Sequence, residues 1–208
     1  MKNKSINNFI IERFNNKLKL HGNSVKSVGW DTKKNQTIRF ERSIYNFKLD
    51  NKKILDVGCG LADFYTFLKK KKFKFKYTGI DVNKNFINKN KKKYKNYKFY
   101  CSDFLEFNHN QKYDYCFFHG VLNINFKNFD NYEYFYSFIK KALKMTKIAI
   151  SIDFINDKGR YKKKDKGIFY YDAAILIKKL SKITNKFILF NDNMNIPQKE
   201  STLIIFND

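Results

Sequence analysis

The residues with the types and spacing to do chemistry cluster around one stretch, Lys53-Ile54-Leu55-Asp56-Val57-Gly58-Cys59-Gly60-Leu61-Ala62-Asp63. A short apolar run leads into two glycines one residue apart, the pattern of a buried strand turning sharply into a helix. A Cβ at Gly58 or Gly60 would bar positive φ and keep the main chain from a ligand's surface. Alone, the same turn also serves in proteins that bind nothing there. A second apolar run, Phe75 to Ile80, ends in Asp81, 21 residues beyond Gly60. A carboxylate at about that spacing can accept both hydroxyls of a ribose, so the pair points to an adenosine-type ligand. A third run, Tyr97 to Cys101, ends in Ser102-Asp103-Phe104, and a fourth, Tyr113 to Phe118, ends in His119-Gly120. Polar residues at successive strand ends mark the edge where open parallel sheets bind ligands. Among them His119 is of the right type to be a general base near neutral pH, or to line the site without reacting; Asp153 and His21 are weaker candidates for the base.

Taken together, these residues resemble the class I S-adenosylmethionine-dependent methyltransferases. Leu55 to Gly60 resembles the family's first motif, Gly79-Ile80-Asp81 its second, Cys101-Ser102-Asp103-Phe104 its third and Tyr113 to Phe118 its fourth. The likeness is firm over about residues 50 to 152. A looser one, to small bacterial members of unknown substrate, covers Gly29-Trp30 and Gln36-x-x-Arg39-Phe40. Ala62 stands where many relatives have a third glycine. The resemblance implies S-adenosyl-L-methionine as cofactor, with Asp56 and the turn Gly58, Cys59 and Gly60 facing its methionine part. Asp81, beside Val82, would hold the ribose, and Asp103, between Ser102 and Phe104, would reach the adenine amino group. It also implies that Arg39 meets the cofactor's carboxylate; the alternative is an arginine paired with Glu41 or left in solvent. The fourth strand is not followed by an Asn or Asp with two prolines and an aromatic, which argues against an adenine-N6 nucleic-acid methylase.

The elements that must position these groups follow from apolar periodicity. The fold class expected is α/β: a Rossmann-like, doubly wound, mostly parallel sheet with a C-terminal antiparallel hairpin and N-terminal helices. Ile6, Ile10, Phe14 and Leu18 predict a helix over 5–18 with Ser5 as N-cap, ended at Gly22. A loop carrying Trp30, as packing anchor or stacking platform, precedes a helix over 36–47. Strands are expected at 53–57, 75–80, 97–101, 113–118 and 147–152, and helices at 63–71, 84–94 and 130–145. A loop over 155–170, a helix over 171–180 and strands at 186–190 and 202–206, turning at Pro197, complete the chain. Residues 1–208 read as one unit, in which 1–50 form a helical lid or cap on a core of 51–208.

With 43% hydrophobic and 18% aromatic residues the chain can build a sizeable core. No run reaches the ~18 apolar residues of a membrane span, and the opening residues do not read as a secretory signal, so the expected location is cytoplasmic. Cys59, Cys101 and Cys116 form no metal-binding pair and read as reduced core residues. The net charge is +24. Such a balance suggests nucleic acid or an anionic surface as partner, whereas abundant Lys and Asn with scarce Pro, Gly and Ala suggests a composition effect instead. Lys69–Lys72 and Lys89–Lys93 fall on expected helix surfaces away from the strand ends, so weak, nonspecific polyanion binding is expected. The function expected is methyl transfer to an oxygen or nitrogen of a small molecule or glycan precursor. An RNA or polyanion methyltransferase and a noncatalytic cofactor-binding protein are the rivals.

Overall fold

Seven strands in the order β3-β2-β1-β4-β5-β7-β6 form one sheet in the computed structural model, which describes residues 2–126, 129–158, 164–191 and 200–207. Strands β1 (Lys52–Val57), β2 (Phe75–Asp81), β3 (Lys98–Cys101), β4 (Tyr113–Phe118) and β5 (Thr146–Ile155) are parallel. β7 (Glu200–Phe206) runs antiparallel to both β5 and the edge strand β6 (Phe187–Phe190). The chain winds outward from β1 through β2 to β3, then returns to start again at β4. The crevice beyond β1 and β4 is therefore the switch point at which such sheets bind ligands.

β1 and β4 carry continuous buried runs because both faces of the sheet are covered. Alternation sends Leu55, Val57, Cys116, Phe118, Ile150 and Ile152 to one face, packed with α5 (Asn131–Met145) and α6 (Ala173–Leu180). It sends Ile54, Tyr115, Phe117 and Ala149 to the other, packed with α2 (Lys33–Ser43), α3 (Asp63–Lys70) and α4 (Lys84–Lys93). Side chains of Thr32, Asn83, Asp130 and Asp172 cap the starts of α2, α4, α5 and α6 by accepting backbone N–H groups. The 20-residue helix α1 (Lys2–His21) and a single 3-10 turn, Val25–Val28, lie over the carboxyl edge of the sheet.

The expected architecture is present, with several local corrections. α1 begins at Lys2, so Ser5 lies within the helix and is not its N-cap; Gly22 does end it, in the left-handed conformation at φ 59°. α2 starts earlier than expected, because Thr32 accepts the Asn35 N–H, and it stops at Ser43. Tyr171 precedes the last helix instead of opening it: the helix is capped by Asp172, and Tyr171 is fully buried with its hydroxyl donating to Leu122 O at 2.6 Å. The described part of 155–170 is more ordered than a loop reading implies. It is bridged to the core through Ile124 with Ile168 and Asn156 with Tyr171. Gly159, Lys162, Lys163 and the turn at Pro197 lie outside the described residues. Cys59 and Cys116 are buried, but Cys101 is exposed, because β3 is an edge strand with solvent on one side.

Candidate active site

The turn after β1 folds around its own hydrogen bonds. The amides of Gly58 and Cys59 both donate to Ile80 O, at 2.8 and 3.0 Å, and the amide of Gly60 donates to Asp81 Oδ2 at 2.9 Å. With those three donors engaged, the turn is not the open nest of N–H groups that cradles a diphosphate; the carbonyls of Cys59 and Gly60 are engaged too, by Ala62 N and the Asn90 side chain, so the turn presents bare glycine backbone to the cleft. The glycines are required by space as well as by φ. A Cβ on Gly58, at φ 68°, would lie 2.4 Å from Val121, and one on Gly60, at φ 51°, would lie 2.7 Å from Val28. Both contacts fall on the cleft wall, so the backbone here is part of the cavity's shape.

The cleft lies over β1, β2 and β4 under the roof of α1. Gly58, Gly60, Asp81, Val82, Ser102, Asp103, Phe104 and Gly120 line it from the sheet side, and Asn7, Ile10 and Phe14 from α1. Asp81 takes the Asn83 N–H on Oδ1 at 2.8 Å besides Gly60 on Oδ2, which leaves each oxygen a further lone pair. Burial drives its pKa from an ordinary 3.8 up to about 6, the two backbone donors offsetting only part of that rise and nearby Asp56 adding to it. Asp103 is fixed by Leu105 N on Oδ1 and accepts from the side-chain amide of Asn7 on Oδ2, at 2.8 and 2.9 Å.

An inner cavity shares Val28, Gly58, Gly60 and His119 with this cleft and is walled by Asp56, Gln36, Asp63 and Trp30. Asp56 lies 2% exposed and accepts the Tyr77 hydroxyl at 2.5 Å. Gln36 donates to Asp63 Oδ2, and the Lys33 ammonium joins both, at 2.7 Å from Gln36 Oε1 and 2.9 Å from Asp63 Oδ1. Cys59 reaches this cavity, but its thiol packs inward toward Asn90, and burial raises its pKa well above the ordinary value. It contributes backbone, not sulfur chemistry.

His119 lines both the main cleft and the inner cavity. Its ring stacks on Phe117 at 5.8 Å and packs against Phe40 and Phe64 at 4.7 and 4.5 Å, with the side chain 6% exposed. The two-residue period of a strand puts residue 119 on the face of Phe117, beside α2 and α3, where it borders both cavities. The Ser43 hydroxyl donates to Phe40 O, so His119 Nε2, 2.9 Å from Ser43 Oγ, is the donor to it. Nδ1 is left toward Asp56 Oδ1 at 3.9 Å. His119 is thereby one of a row of polar side chains on that face at successive strand ends: Asp56 on β1, His119 on β4, Asp153 on β5 and Glu200 on β7.

Arg39 lines a different cavity from the residues of the main cleft. It is neither at the main cleft nor paired with Glu41; its guanidinium is buried in an ion pair with Glu200 and sits 4.3 Å from the Trp30 ring centre. Trp30 is 8% exposed and packs on Phe40, so it is an anchor. Asp153 is 2% exposed, accepts Gly120 N at 2.5 Å, and has its pKa raised by burial against the opposing pull of His119 and Arg39. His21 is exposed at the end of α1 and lines none of these cavities.

Arg39 and Glu200 belong to a further cavity, with Arg13, Lys17, Trp30, Asp31, Asn123 and Asp165 among its walls. It meets the main cleft at Phe14, Val28, Gly120 and Ile124, which line both. Asn123 accepts Ile155 N on its Oδ1 at 3.0 Å, which directs its NH₂ group away from that strand. Sequence reading missed Asn7, Gln36, Asp63, Asn123 and Glu200 as site residues. Only the Gln36-x-x-Arg39-Phe40 pattern carried a signal for any of them.

A nucleotide-binding crevice without a diphosphate cradle, a ribose-type carboxylate at the end of β2 and a closing antiparallel hairpin define a class I S-adenosylmethionine-dependent methyltransferase. The profile of the "Methyltransferase domain" family matches residues 48–187, and the chain belongs to that family. No curated protein sequence matches it. Its fold is similar to magnesium protoporphyrin IX methyltransferase from Synechocystis PCC 6803, solved with bound S-adenosylmethionine: 13% identity, 97% of each chain covered, TM-score 0.68. A TehB-like methyltransferase from Corynebacterium glutamicum is similar at 14% identity, 99% of each chain and TM-score 0.59. The plantazolicin methyltransferase BamL is similar at 16% identity, 99% of each chain and TM-score 0.62. The enzyme's cofactor is S-adenosylmethionine.

Proposed function

We propose that this enzyme methylates an oxygen or nitrogen of a small molecule or glycan precursor. The observation that carries the reading is the further cavity opening from the cofactor cleft at Gly120 and Ile124, walled by α1 on one side and residues 165 and 168 on another. Its opening into the cleft suits a small acceptor, and residues 1–50 act in this reading as a cap on the core of 51–208. Asp81 would hold the ribose, Asp103 the adenine amine, and Asp56, Gln36 and Asp63, beside the glycine turn, the amino-acid end. When bound, S-adenosylmethionine supplies an electrophilic methyl carbon on a positively charged sulfur. The protein's own part is to align a lone pair with that carbon and exclude water, so few groups need to react. The buried carboxylates of Asp56, Asp81 and Asp153 would favour binding of the cationic cofactor over its neutral thioether product.

Incubation with radiolabelled S-adenosylmethionine and fractionated cell extract tests the reading; label in low-molecular-mass material is the expected result. Methylation of RNA is the second reading, favoured by a groove in which Lys33, Lys89, Lys92 and Lys93 surround Leu61 and Asp63. The second lysine run thus borders a groove beside the glycine turn instead of lying wholly on a remote face. Label in RNA would promote that reading.

A further inference from the structure

We propose that the acceptor carries an anionic group, a carboxylate or phosphate, which Arg13 and Lys17 bind at the rim of the further cavity. This rests on the small-acceptor reading and narrows it. The two cations are four residues apart on α1 and therefore neighbours on one helix face. Both line the cavity and both are half-buried. Asp31 and Asp165 line it too, yet among the described residues no ion pair or hydrogen bond engages Arg13 or Lys17. Asp165 is held elsewhere, because its Oδ1 accepts the Gly167 N–H of its own turn at 2.7 Å. At the floor, Arg39 and Glu200 neutralise one another.

Two like charges side by side and partly out of water, with no ion-pair partner among the described residues, are an unfavourable arrangement in isolation. The Lys17 pKa is lowered, first by burial and then by Arg13, and the attraction of Asp165 and Asp31 does not restore it. An anion between the two would relieve that repulsion. The adjoining turn packs directly on the guanidinium: a Cβ on Gly167 would stand 2.5 Å from an Arg13 terminal nitrogen. The planar fork of Arg13 suits the paired oxygens of a carboxylate or phosphate, and Lys17 adds a point charge. Both cations and Gly120, Asn123 and Ile124 line the same cavity, which joins the cofactor cleft at Phe14, Val28, Gly120 and Ile124. An acceptor held there by its charged group therefore has a path for its nucleophile to the cleft.

The test is incubation of the enzyme with radiolabelled S-adenosylmethionine and fractionated cell extract, followed by anion exchange of the small-molecule fraction at neutral pH. Labelled product should be retained on the column. With that acceptor, Arg13→Gln with Lys17→Gln should raise KM by about 100-fold, roughly tenfold for each charge-assisted hydrogen bond removed, while kcat changes far less. S-adenosylmethionine affinity, read by calorimetry on the same variant, should be unchanged, which also certifies its fold. Arg13→Lys, which keeps charge but loses the fork, should fall between. Labelled product that passes through the column, or an unchanged KM in the double variant, would overturn the anionic-acceptor proposal and leave the small-acceptor reading standing. Label only in macromolecules, or in no fraction from enzyme that binds cofactor, would overturn both.

Discussion

Asp81 makes cofactor binding depend on pH in a direction and amount that follow from its burial. Its carboxylate has a pKa of about 6 in the free site against an ordinary 3.8. If two ribose hydroxyls donate to it, the ionised form is favoured and the pKa of the complex falls back toward the ordinary value. The cofactor then selects the ionised site, and a proton must leave on binding wherever the free site still holds one. Affinity is therefore full above about pH 7 and is lost as pH falls through 6. At pH 5 roughly ten-elevenths of free sites carry the proton, against about one-eleventh at pH 7, so affinity should weaken by about tenfold, or ~1.4 kcal/mol, over that interval. Calorimetric titration from pH 7 to 5, in buffers of different ionisation enthalpy, measures both the affinity and the released proton; about half a proton should appear near pH 6. Asp81→Asn should bind more weakly at pH 7 and show a flat profile. A wild-type affinity that does not change with pH, or the same slope in Asp81→Asn, would refute the assignment of Asp81 to the ribose.

Gly58→Ala combines a strained left-handed backbone with a methyl group 2.4 Å from Val121, so it should cost about 1 to 3 kcal/mol of stability in denaturant titration and block cofactor binding. Glu200→Gln or Arg39→Leu leaves one buried charge uncompensated and should destabilise by about 3 to 5 kcal/mol, while the paired Arg39→Leu, Glu200→Leu variant should be milder than the sum of the singles, as a double-mutant cycle would read. His119→Asn should lower kcat by less than about tenfold and keep whatever pH limb the wild type shows, because the ring is packed between α2 and α3; a loss of 10²-fold or more with loss of that limb would make it the base.

The parts of this molecule legible in the sequence are those governed by local rules. The alternation of strands and helices, the glycine turn and the acids at strand ends all follow from short-range periodicity and from the few residues that tolerate φ 68° or 51°. The packing of His119 is legible too: counting by twos from Phe117 assigns it to the face of α2 and α3, where it also borders the cleft. Arg39 is different in kind. Its partner, Glu200, lies 161 positions away and enters only because β7 inserts between β5 and β6, a pairing that no window of sequence contains. The roles of Asn7, Arg13 and Lys17 likewise depend on the angle at which α1 crosses the crevice, which is set by packing of Ile10 and Phe14 and not by the helix's own pattern.

The way α1 is fastened bears on how long a ligand stays. Its polar links to the sheet edge are side-chain amides: Asn7 to Asp103, and Asn15, whose oxygen accepts from both Asn83 and Asn85 at 2.9 Å. Each such bond is worth only about 0.5 to 1.5 kcal/mol net, so α1 is held over the cleft largely by the apolar packing of Ile6, Ile10 and Phe14. On the proposed assignment of Asp103, the Asn7 amide and an adenine amine are alternative donors to one carboxylate. Entry exchanges one N–H for another and exit reverses the exchange, so the carboxylate is never left bare in the interior. Residence time is then governed by the apolar seam of Ile10 and Phe14, and trimming either side chain should quicken release of the spent cofactor more than it weakens the chemistry.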